Sequence, residues 1–361
     1  MLRILSPRAV SFFLLMLGTS TASPLVKRTP DFSVEFLGNV TSTNTEDIRD
    51  LGFAGCVGRT CLGSYGDTLV CGDGSAEDRY YQTQPCVLLH ANSAAYATDI
   101  PLSITDFNLD ADGNAQMFCG YLPGEIAPGE TEAQYGMGIT NVIAIPGSDT
   151  QGVLYFLKNH RPDTVHDDIV GAGIAIVDVS GPYPTCQRTS EYWWDSHQEP
   201  NWGDHTSVLA PDGYVYVFGG ANTTLFYDGI YVARVPHASQ QDMSQYEYWN
   251  GSAYTPNRVY SPSEQEAVLY TGSTGQGQIT WNSYLQQYLY LYTSYAYIVG
   301  KTAPNPEGPW SDQFTLFDVQ GGYPFVYSPT QQTQYDASGR TVVVGYTAYP
   351  NILQAIKISF E

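Results

Sequence analysis

One pattern recurs five times along the chain: a tight turn, then a short strand that is apolar on both faces. It runs Gly66-Asp67 into Thr68-Leu69-Val70-Cys71, and Gln151-Gly152 into Val153-Leu154-Tyr155-Phe156-Leu157. It returns as Asp212-Gly213 into Tyr214-Val215-Tyr216-Val217-Phe218, Gln286-Gln287 into Tyr288-Leu289-Tyr290-Leu291-Tyr292, and Ser338-Gly339 into Arg340-Thr341-Val342-Val343-Val344. A strand apolar on both faces is buried on both faces, so its sheet must lie between other sheets. Sheets stacked around an axis meet that demand. The chain is therefore read as all-β, a five-bladed β-propeller.

The third and fourth units are the clearest. His205–Ala210, Tyr214–Gly219, Gly229–Val235 and Tyr246–Trp249 form one blade, and Gln278–Tyr284, Tyr288–Thr293, Ala296–Lys301 and Gln313–Phe317 the next. The first blade runs from Arg49 to near Leu109. The second runs from Met137 to Trp194, with insertions at Asp110–Gly113 and Gly120–Gly136. The fifth begins near Tyr323, ends with Leu353–Phe360 and lacks an outer strand. Phe32–Val40 supplies it, so N- and C-terminal strands close the ring in the last blade and remove an open sheet edge.

Residues 29–361 are read as this single domain. Ahead of it, Arg3 and Arg8 precede the apolar run Phe12–Leu17, and small residues follow at Ser20-Thr21-Ala22. That is the layout of a signal peptide over 1–22, with a propeptide 23–28 ending at the dibasic pair Lys27-Arg28. Losing 1–28 removes four basic residues and no acid, leaving 11 basic against 36 acidic residues. A chain so anionic is repelled by phosphate backbones, so no nucleic-acid partner is expected. No membrane partner is expected either, because no later segment is long and apolar enough to span a bilayer. The expected form is a secreted monomer. Six cysteines then imply disulfides, with Cys56–Cys61 and Cys71–Cys86 as the local pairs. Sequons at Asn39, Asn222 and Asn250 suit surface glycans. No cofactor motif occurs. Zinc is not expected, because no C-x-x-C pair or paired His spacing exists; an acid-lined axial channel could hold structural calcium, and Asp110-Ala111-Asp112-Gly113 reads as a hairpin turn rather than a calcium loop.

Propeller geometry sorts the polar residues. The start of an inner strand and the end of the second strand share one face, and the turn between them lies on the other. Asp50 starts the first inner strand and Asp73 ends its partner, so the two carboxyls meet near the axis. By the same rule Asp67 sits in the hairpin turn, on the far face. A carboxyl pair over a central depression suits glycoside hydrolysis, one acid protonating the leaving oxygen while the other attacks or activates water. His205, Asn159, Gln278 and Tyr323 fall on the same face as candidate sugar ligands, since hydrogen-bonding groups and rings suit sugar hydroxyls and faces. Each of them is also explicable as a strand-end structural residue.

Several stretches together resemble the domain-of-unknown-function family 4185 (DUF4185), related to the glycoside hydrolase family 183 endo-D-arabinanases. They are Arg49-Asp50-Leu51-Gly52, Tyr65–Asp73, Asp212–Gly219, Ile279–Leu285 and Pro306-Glu307-Gly308-Pro309-Trp310-Ser311. The resemblance implies a five-bladed propeller with two catalytic aspartates in the first blade. One follows an arginine, as Asp50 does. The other lies in a Phe-Gly-Asp-Thr motif, for which Cys71-Gly72-Asp73-Gly74 is taken as the counterpart, with cysteine and glycine replacing the outer residues. The implied activity is a secreted glycosidase on a furanoside-containing, arabinan-like polysaccharide or oligosaccharide. The alternative is a carbohydrate-binding propeller without catalysis, a lectin or adhesion protein.

Overall fold

The computed structural model describes residues 29–71, 86–163, 168–222, 227–263, 265–272, 276–319, 325–349 and 351–361. The signal-peptide and propeptide readings, Asp73 and Tyr323 lie outside these residues. Five sheets form five blades, antiparallel except where Thr41-Ser42 runs parallel to Ser103-Ile104. Their inner strands are Ile48–Val57, Tyr135–Ala144, Asn201–Leu209, Gln278–Asn282 and Val326–Gln332, and each touches the next until the fifth returns to the first.

The repeated strands are the second strands, and they are buried on both faces as their sequences demand. In blade 2, Val153–Leu157 are all at most 7% exposed; in blade 5, Val342–Ala348 are buried throughout. Their side chains feed apolar layers between successive blades rather than one central core. The layer between blades 5 and 1 is the thinnest, made mainly of Tyr65, Ala95, Ile104 and Leu353.

Other ties reinforce that seam. Phe32–Asn39 pairs antiparallel with Ile352–Phe360, so the N-terminal segment is the outer strand of blade 5, as its sequence suggested. Thr41-Ser42 then continues alongside Ser103-Ile104 of blade 1. Arg49 forms a fully buried ion pair with Asp106 at 2.7 Å, and Ser42 and Thr45 donate to the same carboxylate.

All six cysteines pair: Cys56–Cys61, Cys71–Cys86 and Cys119–Cys186. Asp110 accepts from the amides of Asp112 and Asn114, which makes its segment the expected hairpin turn.

Candidate functional site

The first blade departs from the sequence reading in one decisive respect. Its inner hairpin turns at Gly58-Arg59, where Val57 pairs with Thr60 and Gly58 holds φ +56°. The second strand therefore runs unbroken from Thr60 to Cys71, and Gly66-Asp67 is no turn. Arg49 pairs with Thr68 and Leu51 with Tyr65, so Gly66 and Asp67 together oppose Asp50. Two residues facing one is a β-bulge, which re-aims side chains. Asp67 is thus on the face of Asp50, not the opposite one. Tyr65-Gly66-Asp67-Thr68 also reproduces the Phe-Gly-Asp-Thr pattern with a single aromatic exchange, which makes it the better counterpart than Cys71-Gly72-Asp73-Gly74.

Burial, and secondarily the charge of Asp67, push the Asp50 carboxyl up from its ordinary range to about 7. Asp50 Oδ2 accepts from the Tyr327 hydroxyl at 2.9 Å, and Asn351 Oδ1 lies 3.3 Å from the same hydroxyl. Asp50 Oδ1 is sealed from water and has no hydrogen-bond partner. It rests where a side chain on residue 66 would lie: a Cβ there would sit 2.3 Å from it, so this close approach requires glycine.

Asp67 is about one-third exposed, and both its carboxylate oxygens lie 3.1 Å from Arg161 Nη1. Arg161 extends from the end of the second strand of blade 2. Gly136 makes room for it, since a Cβ there would be 2.9 Å from the guanidinium carbon. The Arg161 amide donates to Gln134 O at 2.7 Å, tying it to the insertion before blade 2. Ion pairs hold that insertion down: buried Glu125 accepts from Arg188 and Lys158, and the partly exposed Glu130 faces His160 at 3.0 Å.

Blade 5 clamps the Asp50 bulge from behind. Leu51, at φ +67°, donates its amide to Thr347 Oγ1 at 3.0 Å, while Thr330 Oγ1 and Gln332 Nε2 donate to Gly52 O at 2.9 and 2.7 Å. Asn351 Nδ2 donates to Asp67 O at 3.3 Å. Blades 1, 2 and 5 therefore meet at one cluster: Asp50, Asp67, Arg161, Tyr327 and Asn351. Exposed Phe325 packs beside it, its ring 5.7 Å from that of Tyr327 and 5.1 Å from that of Tyr349.

The other sequence candidates fare differently. Gln278 is 2% exposed, and its amide oxygen accepts from the Gln331 amide. It is a tie between blades 4 and 5, which corrects its reading as a sugar ligand. His205 is likewise buried, with Nδ1 3.4 Å from the Tyr290 hydroxyl and Nε2 3.8 Å from Asp204, so it braces blades 3 and 4 rather than facing a ligand. Asn159 pairs with Gly136 at the end of its strand, two residues before Arg161. Among the described residues no three His, Cys, Asp or Glu side chains are grouped to hold a metal. Neutral groups on the inner strands tie neighbouring blades: Thr206 donates to Asn141, which donates to Ser207 O, and Gln331 donates to Gln278 O.

Residues 177–348 match the model of the family described as a domain of unknown function (DUF4185), the family the motifs resemble. No curated protein matches the chain. Among solved structures, a candidate hydrolase from Bacteroides ovatus is 15% identical, with TM-score 0.57, over 90% of this chain and 87% of that one. An exo-β-1,3-galactanase from Phanerochaete chrysosporium is 14% identical, with TM-score 0.52, over 90% of this chain and 64% of that one. At these identities the likeness is one of fold.

Proposed function

We propose that this protein is a secreted glycoside hydrolase acting on a furanoside-containing, arabinan-like polysaccharide, with Asp50 as proton donor and Asp67 as the second carboxylate. The observation that carries the reading is the contrast between the two acids. Asp50 is half-buried beside a like charge, and that desolvation holds its proton to about pH 7. Asp67 has a guanidinium as countercharge and is about one-third exposed. Two acids whose surroundings push them apart in this way can divide acid and base roles.

The hydrogen bonds suit a protonated Asp50. Its carboxyl can donate from Oδ2 to the Tyr327 oxygen, which frees the single phenolic hydrogen for Asn351 Oδ1. In the reaction Asp50 gives that proton to the glycosidic oxygen while Asp67 attacks the anomeric carbon or takes a proton from the attacking water. The acids oppose each other across adjacent strands, which lie about 4.8 Å apart. A gap of about 5–5.5 Å between the carboxyls would mean direct attack and retention, a wider one an interposed water and inversion. Arg161 pairs with the Asp67 carboxylate at 3.1 Å, and Phe325 offers a ring face for a sugar. The arabinan-like substrate rests on the family resemblance. The fold supports it only in that the Phanerochaete galactanase cleaves a glycan on a similar propeller.

The test is release of reducing ends from arabinans, arabinogalactans and other furanosides by the wild type and by Asp50→Asn, Asp67→Asn and Asp73→Asn. The proposal expects release by the wild type, loss in the first two variants with folding intact, and activity retained in the third. Loss with Asp73→Asn but not Asp67→Asn would return the site to the pair read from sequence. Glycan binding without release by any form would make the protein a non-catalytic carbohydrate-binding propeller.

A further inference from the structure

We propose that the face of the propeller opposite the acid pair carries a second carbohydrate site, a cleft between blades 3 and 4 that takes a neutral oligosaccharide. The inner hairpin turns of both blades, at Pro211-Asp212 and at Gln286, border a cavity of about 500 Å³. These turns lie at the far end of the inner strands from Asp50, so the cleft is separate from the acid pair and does not depend on its chemistry.

The lining has the composition of a sugar site. Two partly exposed indoles, Trp249 and Trp281, and the Tyr254 ring supply apolar faces, while Asp212, Arg234 and Glu307 supply planar hydrogen-bonding groups. Each polar group is held in place. The Arg234 guanidinium lies 4.4 Å from the Tyr214 ring and 4.2 Å from the Tyr254 ring and donates to Glu247 at 2.8 Å. Tyr216 donates to Asp212 at 2.7 Å, and Tyr254 to Glu307 at 3.1 Å. The indoles are braced too, Trp281 against Tyr288 at 5.1 Å and Trp249 against Tyr254 at 5.2 Å. Groups fixed before binding lose little freedom when a ligand arrives.

Charge selects the ligand class. Arg234 is already neutralised by Glu247, which leaves the Asp212 and Glu307 carboxylates in excess. Such a lining repels phosphate, sulfate and uronate groups, and its rings suit a neutral sugar. The cleft also gives a role to two stretches that the acid pair leaves idle. Trp281 of Ile279–Leu285 and Glu307 of Pro306–Ser311 both line it.

The test titrates the full-length Asp50→Asn protein with short arabinan, β-1,3-galactan and β-glucan oligosaccharides and follows tryptophan emission. The residues meeting at the acid pair include no tryptophan, so the signal reads the cleft. The expected result is a saturable change with at least one neutral oligosaccharide, unaltered when Asp67→Asn is added. It should weaken about tenfold, or about 1.4 kcal/mol, in Glu307→Ala and in Trp281→Ala. Glu307→Ala removes a side chain whose partner is one tyrosine hydroxyl, so the test survives if Trp281→Ala does not fold. No response to any neutral oligosaccharide overturns the proposal. So does a response confined to oligogalacturonides or chitosan oligomers, or one lost with Asp67→Asn yet kept in Glu307→Ala. Hydrolysis of small substrates should be unchanged in Glu307→Ala, so failure here is distinct from failure of the catalytic reading.

Discussion

Replacing Asp50 by Asn should abolish catalysis and stabilise the protein at neutral pH. The Asp50 carboxyl is raised from 3.8 to about 7 by burial and by Asp67. In the window between those values the folded protein holds a proton that the unfolded chain has released. Folding stability therefore falls as pH rises through the window and levels off above about pH 7. Three units at about 1.4 kcal/mol each set a ceiling of about 4 kcal/mol. The Asp50 side chain is half-buried and Asp67 is one-third exposed, so water screens the pair and about 2 kcal/mol is expected. Asparagine has the shape of the protonated acid and carries no charge, so it escapes the penalty. For a domain of this size about 2 kcal/mol corresponds to about 3 °C in thermal midpoint. The assay is the difference in midpoint between variant and wild type, measured by circular dichroism from about pH 4 to about pH 8. The difference should be near zero at the acid end and reach about 3 °C in favour of the variant at the other. Parallel curves, or a variant that loses ground as pH rises, would refute a protonated Asp50.

Asp67→Asn removes the second cause of the Asp50 shift, so carboxyl-carbon NMR should find Asp50 titrating at lower pH than in the wild type; an unmoved titration would mean that the acids do not sense each other. Gly66→Ala would place a Cβ 2.3 Å from Asp50 Oδ1, and the displaced acid should cost at least about tenfold in kcat, since small misplacements of reacting groups are costly. Circular dichroism should show an intact propeller in that variant. The disulfides should rank by the loop each closes: removing Cys119–Cys186, with 67 residues of separation, should cost about 4 kcal/mol against about 2 for Cys56–Cys61, with five. Urea unfolding of the paired alanine variants checks the order.

Much of the architecture was legible because burial on two faces leaves so plain a mark. The strands of blades 3 and 4 lie close to where their alternation placed them, and the missing strand of blade 5 was found by elimination at Phe32–Asn39. The site was half legible. Asp50 was reachable, but Gly66-Asp67 has the composition of a turn and was read as one. The signal that corrects it was present in the sequence. Cys56 and Cys61 were read as a local pair, and they are direct cross-strand neighbours. A disulfide closed by antiparallel neighbours demands a turn between them, which places the turn at Gly58-Arg59 and leaves Gly66-Asp67 inside the returning strand. Arg161, Tyr327 and Asn351 carried no such signal, because only the closing of the ring brings blades 2 and 5 against blade 1.

The strand-end rule also failed for a reason in the backbone. It assumes that side chains alternate strictly along a straight ladder, and the axial ends of these inner strands break that alternation. Register slips between Arg49 and Phe53, between Trp202 and Thr206, and between Tyr327 and Thr330. In each case a non-glycine residue with positive φ follows the re-aimed side chain: Leu51 after Asp50, Thr206 after His205, Ser328 after Tyr327. Such conformations cost about 1–3 kcal/mol each and persist only where the surroundings enforce them. In blade 1 the enforcement is visible in the three hydrogen bonds from Thr347, Thr330 and Gln332. The same device serves two ends. In blade 3 it turns His205 inward to brace Tyr290, and in blades 1 and 5 it brings Asp50 and Tyr327 together. Breaking the clamp should therefore separate the two uses: Thr347→Val, which removes the acceptor for the Leu51 amide, should loosen Asp50 and lower kcat while leaving the blade 3 bulge, and amide protection around His205 in hydrogen exchange, unchanged.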